Sequence, residues 1–236
     1  MVRKITVLIS GNGSNLQALI DARDHGRLDF ELLHVVSNNV TAYGLERARK
    51  AGIPHSILEH KKFASGEEFD SALADLISAQ STDLVILAGF MRILGPAVLR
   101  RFEGRMINLH PSLLPLYRGV DTYTRAIEAG DSEHGASMHF VTAELDGGPV
   151  ISQVHIPIEK NDDPYSLSAR LAPREHDLIV ATTDLFIRTS VECRQRRVWV
   201  DGKPLKTPLL LQADGKFANW ADGAAELLIR DLVNGP

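Results

Sequence analysis

The 236-residue chain is 44% hydrophobic, contains one cysteine and carries a formal net charge of −4. That apolar content supports a sizeable core, while a lone cysteine excludes an internal disulfide and the absence of a basic stripe argues against a nucleic-acid partner. The longest apolar runs fall far short of a membrane span and no cleavage signal follows the first one. A reducing, cytoplasmic setting is therefore expected, with small molecules as the partners of a monomer or homodimer, and neither nucleic acid nor a membrane.

The elements alternate along the chain. Ile5–Ser10 reads as a buried strand, and "SNLQALIDARDHG" as a helix with Leu16, Leu19 and Ile20 on one face and Gly26 at its end. "FELLHVVSNN" reads as a second strand and "YGLERARKAGI" as a second helix closing at Gly52. "SGEEFDSALADLISAQSTD" reads as a third helix, with Ser65 and Glu68 in capping-box positions. "DLVILAGF" is apolar on both faces, as a central parallel strand requires. "GPAVLRRFEG" reads as a short helix opened by Pro96, and "RMINLH" as the next strand. This alternation predicts an α/β fold, a Rossmann-like, mostly parallel twisted sheet.

After Pro115 the pattern changes. "TRAIEAGD" reads as a helix, and "ASMHFVT" and "PVISQVHIPI" as antiparallel strands joined by "AELDGG". "PYSLSARLAPREHDLIVATTDLFIRTSV" reads as one long helix or two, interrupted at Pro173. "VWVDGKPLKTPLLLQADGKF" reads as a small hairpin with turns at Asp201-Gly202 and Asp214-Gly215. Residues 1–190 are expected to form the catalytic domain, and residues 191–236 a hairpin or helix extension packed on it.

Three stretches have the composition of a site. In "ISGNGSNLQAL" two glycines follow the first strand, and Ser14 and Asn15 open the helix. Free amides at a helix N-terminus, with glycines allowing close approach, bind anions. Leu16 occupies the third-glycine position of a dinucleotide fingerprint and no Gly-Lys-Ser/Thr follows, so a single phosphate suits the loop better than a pyrophosphate. An ordinary tight turn has the same composition. "LAGFMRILGP" follows a central strand, where open α/β sheets bind ligands, and its Met91, Ile93 and Leu94 suit either a flat heterocycle or the core.

Asn108 and His110, two apart on a strand, share a face. Together they can hold an oxyanion and carry a proton, although a lone strand histidine is more often structural. Asp146, before two glycines, is either a turn residue or a carboxylate that supports His110. His25, His34, His55 and His60 are scattered. His134 and His139 lie near the proposed site but form no cluster with cysteine or carboxylates, so no metal is expected.

"VLISGNGSNLQALID", "GLERARKAGI", "LAGFMRILGP", "INLHPSLLP", "EHGASMHFVTAELDGGPVI" and "REH" occur in the order of the phosphoribosylglycinamide formyltransferase family, which the chain resembles from about Ile5 to His176. The resemblance implies the formyltransferase fold, 10-formyltetrahydrofolate as co-substrate, glycinamide ribonucleotide as formyl acceptor and a place in purine synthesis. It implies that Asn108 holds the formyl oxygen, that His110 is the acid/base and that Asp146 raises the imidazole pKa. It further implies that Gly13, Ser14, Asn15, Leu16 and Gln17 bind the substrate phosphate, and that Glu175 lies near the nucleotide. Met91, Arg92, Ile93 and Leu94, with Asn108, match its folate-binding positions.

The chain departs from the family after "HPSLLP", where Leu116, Arg118, Asp121 and Tyr123 replace Lys, Pro and two His. Gly66 replaces an arginine near the folate tail. A formyl-folate deformylase, a formyltransferase for another amine and a non-catalytic binding paralogue remain as alternatives at this point.

Overall fold

Short apolar runs become strands and amphipathic runs cover them. The computed structural model describes residues 3–219; residues 220–236 of the expected C-terminal extension lie outside the described residues. The first half contains β1 (Arg3–Ile9), α1 (Ser14–Asp24), β2 (Phe30–Ser37), α2 (Tyr43–Lys50), β3 (His55–Ile57), α3 (Gly66–Ser78), β4 (Leu84–Leu87), α4 (Pro96–Arg101) and β5 (Met106–His110). The second half contains α5 (Thr122–Ala129), β6 (Glu133–Phe140), β7 (Val150–Pro157), α6 (Pro164–Arg188), β8 (Val191–Arg194), β9 (Arg197–Val200), β10 (Lys203–Pro204) and β11 (Leu209–Leu210).

Eight strands form one sheet in the order β11-β7-β6-β5-β4-β1-β2-β3. From β3 to β5 all neighbours are parallel. β6 runs antiparallel to β5, and β7 antiparallel to β6. This is the mixed, mostly parallel α/β architecture that the alternation predicts.

Each face has its own core. On one, Leu16, Leu19 and Ile20 of α1 and Leu171, Leu178 and Ile179 of α6 pack with Ile5, Val7, Ile107 and Leu109. On the other, Phe69, Leu73 and Ile77 of α3 and Val98 of α4 pack with Leu8, Val85, Leu87 and Met106. Burying each such side chain stabilises the fold by about 1.5–3 kcal/mol relative to leaving it in water. The capping signal at α3 is realised: Ser65 Oγ accepts the Glu68 N–H at 3.1 Å, and the Glu68 carboxylate accepts the Ala64 N–H at 3.0 Å. Among the described residues no helix is long and apolar enough to cross a membrane.

Three details differ from the sequence reading. β3 has no apolar run to announce it, since its ends are exposed. α6 is continuous through Pro173. Proline removes the N–H that would bond the Ala169 carbonyl, but both residues are exposed, so water can satisfy that oxygen. The tail is not one hairpin. Asp201-Gly202 turns β9 into β10, but β11 leaves to join the main sheet parallel to β7, and β8 completes a separate three-stranded antiparallel sheet. The second turn, near Gly215, brings Phe217 back opposite Leu211.

Candidate active site

The loops after β1 and β4 and the end of β5 are neighbours because β1, β4 and β5 are adjacent parallel strands. Ser10 ties the two loops together: its N–H donates to the Gly89 carbonyl at 3.1 Å, and its Oγ accepts the Met91 N–H at 2.7 Å.

The glycine loop runs directly into α1. Gly13 has φ of 74°, a left-handed conformation that favours glycine. A Cβ at Gly13 would stand 2.7 Å from the Gly44 Cα, so the loop also packs on α2 through two glycines. The first intrahelical bond runs from Gln17 N to Gly13 O at 2.9 Å, which leaves the Ser14, Asn15 and Leu16 amides at the open N-terminus. Leu16 is fully buried, so only its backbone faces the loop. The Gln17 side chain donates to Asp21 at 2.8 Å and accepts from Arg47 at 3.1 Å. Arg47 also donates to the Asn12 carbonyl and side chain, both at 2.9 Å, and places a cation against the loop that the sequence did not single out.

Met91 and Ile93 are 77% and 69% exposed, whereas Leu94 turns into the second core. The Arg92 guanidinium lies 4.4 Å from the Phe69 ring centre, and a Cβ at Gly66 would stand 3.2 Å from Arg92 Nη2.

Strand period 2 places Met106, Asn108 and His110 on one face of β5. α3 and α4 cover Met106. Beyond it, the 141–149 loop covers the face instead, anchored where Gly148 leaves no room for a Cβ beside the Phe140 carbonyl. Asp146, at φ of 46°, sits at the centre. Its Oδ2 lies 3.4 Å from His110 Nδ1 and accepts the Gly119 N–H at 2.9 Å. Its Oδ1 lies 3.5 Å from Asn108 Nδ2 and 3.6 Å from His139 Nε2. Asn108 Nδ2 also donates to His139 Nε2 at 3.1 Å, with His139 Nδ1–H on the Phe140 carbonyl at 2.9 Å.

His139, expected near the site but given no role there, thus contacts both Asn108 and Asp146. Antiparallel pairing sets Asn108 opposite His139, and that register is not visible in either strand alone.

His110 Nε2–H donates to the Tyr117 carbonyl at 3.0 Å, so the neutral ring carries its lone pair on Nδ1, toward Asp146. Burial pulls the imidazole below its ordinary pKa, and the Tyr117 carbonyl and Asp146 carboxylate only partly offset this. Asp146 thus acts on the imidazole in the expected upward direction, and burial outweighs it in the total. Burial pushes the Asp146 carboxyl up, but the His139 ring, the Gly119 N–H and His110 outweigh it and hold the group below its ordinary value.

Glu175 lies on α6 beside the glycine loop. Tyr123 Oη donates to its Oε1 at 3.5 Å, and the Asn15 side chain donates to it as well. Asp121 is exposed at φ of 58°, ahead of α5. The nearby cations are engaged elsewhere: Arg118 pairs with Glu144, and Arg125 donates to the Arg118 carbonyl at 2.7 Å.

A family model described as formyl transferase matches residues 3–183. The phosphoribosylglycinamide formyltransferase of Escherichia coli is 46% identical over 201 residues, 85% of this chain and 95% of that protein. The human trifunctional purine biosynthetic protein adenosine-3 is 39% identical over 189 residues, 80% of this chain and 19% of that protein. The solved phosphoribosylglycinamide formyltransferase of Coxiella burnetii superposes with a TM-score of 0.83 at 45% identity, covering 87% of this chain and 96% of the other.

Proposed function

Because this chain belongs to the formyl transferase family, we propose that it transfers the formyl group of 10-formyltetrahydrofolate to the amine of N1-(5-phospho-D-ribosyl)glycinamide in purine synthesis. The observation that carries the reading is the meeting of Asn108, His110 and Asp146 at the end of β5, one strand from the Met91 loop and two from the glycine loop. Formyl transfer between amines needs oxyanion stabilisation, a proton carrier and close positioning, and these groups supply all three.

The amide N–H groups of Ser14, Asn15 and Leu16 receive the substrate phosphate. Met91 and Ile93 flank the pterin together with Arg92, and Asn108 faces its formyl group. The amine lone pair attacks the formyl carbon, and the carbonyl π pair moves onto oxygen. Asn108 Nδ2 keeps one N–H on His139 and turns the other, now on a long 3.5 Å contact to Asp146, to that oxyanion. His110 Nδ1 takes the proton from the attacking nitrogen and returns it to the departing folate nitrogen. The carbon–nitrogen bond to the folate then breaks, its electron pair stays on that nitrogen, and the carbonyl re-forms on the product. Asp146 stabilises the imidazolium that exists between the two proton transfers.

The test is turnover of 10-formyltetrahydrofolate by the purified protein with and without glycinamide ribonucleotide. Turnover that requires the ribonucleotide supports transfer. Turnover without it identifies a hydrolase, and turnover in neither case overturns the reading.

A further inference from the structure

We propose that Tyr123 is a specificity-positioning residue whose hydroxyl fixes the Glu175 carboxylate as the hydrogen-bond acceptor for the ribose hydroxyls of the ribonucleotide. The inference rests on the reading of the α1 N-terminus as the phosphate site. A phosphate on the Ser14 and Asn15 amides leaves the attached sugar beside the Asn15 side chain, and that side chain is bonded to Glu175. Tyr123 engages Oε1 from α5 and Asn15 donates to the same carboxylate, and the lone pairs these two donors leave open serve the sugar.

The phenol is held in place from several sides. Its ring centre lies 5.1 Å from that of His134 on β6, its ring packs against the main core, and Ser168 of α6 hydrogen-bonds its hydroxyl. The need for such a donor follows from burial, which pushes the Glu175 carboxyl up to about 7 even with Asn15 and Tyr123 opposing it. A protonated carboxyl would present an O–H and lose much of its capacity as an acceptor. The surrounding groups do not take over this role. Arg174 and Asp177 of α6 pair with each other at 2.7 Å, and burial pulls His134 and His176 below the ordinary imidazole value.

Tyr123→Phe keeps the ring and removes the donor. It is expected to raise KM for the ribonucleotide by about three- to tenfold, the effect of one lost hydrogen bond, while KM for the folate stays within about twofold. The acidic limb of kcat/KM for the ribonucleotide should move to higher pH, because the charged form of Glu175 loses a donor. A 13C NMR titration of the Glu175 carboxyl should show the same upward shift without substrate. Glu175→Gln should raise the same KM, and adding Tyr123→Phe to it should then cost less than about twofold, since the two residues act through one bond.

A folded Tyr123→Phe enzyme with wild-type ribonucleotide KM and an unmoved Glu175 titration overturns the inference, as do fully multiplicative effects in the double variant. Calorimetry separates the two levels of failure. If the wild-type protein does not bind glycinamide ribonucleotide, the reading of the site fails and the inference with it; if it binds and Tyr123→Phe binds equally well, the inference alone fails.

Discussion

Replacing Asp146 by Asn preserves the shape of the side chain and removes its charge. In the wild-type site Oδ2 serves Gly119 N–H at 2.9 Å and faces His110 Nδ1 at 3.4 Å, while Oδ1 faces Asn108 Nδ2 at 3.5 Å and His139 Nε2 at 3.6 Å. An amide has one accepting end and one donating end. With its oxygen on Gly119, its N–H points at the Asn108 N–H; flipped, it points at the Gly119 N–H. Either way one charge-assisted hydrogen bond, worth about 1.5–3 kcal/mol, is lost. The imidazolium also loses its counter-charge in the transition state. We expect kcat to fall by ~10²–10⁴, about 3–5 kcal/mol in the barrier. The pH profile supplies the sign. Burial lowers the His110 pKa and the carboxylate raises it, so the Asn variant should titrate lower still and the acidic limb of kcat should move to lower pH. Stability follows the other partner. The folded Asp146 carboxyl lies below its ordinary value, so its charge stabilises the fold above the unfolded pKa, and that contribution is lost as pH falls through the folded value. The melting-temperature gap between the two proteins should therefore close in acid. A kcat within about threefold of wild type, or an unmoved acidic limb, would refute the coupling of Asp146 to His110.

His110→Ala should lower kcat by ~10²–10⁴ while folate binding, read by fluorescence quenching, survives; near-wild-type turnover in the folded variant would remove His110 from the proton path. His139→Ala frees the Asn108 amide from its 3.1 Å anchor and should lower kcat by about tenfold with little change in either KM, a pattern that steady-state kinetics at saturating substrate resolves. Gly44→Ala drives a methyl into the Ile9 Cδ1 and to 3.3 Å from the Gly13 Cα, so it should cost about 1–3 kcal/mol in denaturant unfolding and raise the ribonucleotide KM more than the folate KM. Unchanged unfolding would mean that the loop and α2 separate freely.

The parallel half of the fold was legible because its signals are local. Apolar runs such as "DLVILAGF", the Ser65 cap and the glycine stops at Gly26 and Gly52 each act within one element. What stayed hidden depends on tertiary context. Pro173 breaks a helix in the abstract, yet here the carbonyl it frees faces solvent. The pairing of β11 with β7 lies more than fifty residues apart in sequence. In the site, the Asn108/His110 pair was visible through the period of a strand. His139 was visible only as a neighbour of the site, because its place opposite Asn108 is a property of the β5–β6 register. The net direction of the His110 pKa was also out of reach, since the carboxylate can be guessed from a motif but the degree of burial cannot.

The position of the site follows from where the sheet changes direction. Up to β5 the strands are parallel, and helices α3 and α4 cover the face that carries Met106. β7 pairs antiparallel with β6, so no crossover helix is needed between them, and the chain returns from β6 through the short 141–149 loop. That loop leaves β6 beside the first residues of β5, with the Val141 N–H on the Met106 carbonyl at 2.9 Å, and folds back along the face the helices leave open. A helix there would bury Asn108 and His110 in apolar contacts. The loop instead brings a carboxylate to them and leaves His110 5% exposed and Asn108 half-buried. The same junction explains the electrostatics: the cover is complete enough to lower the imidazole pKa, and the carboxylate is close enough to receive the charge when a proton arrives.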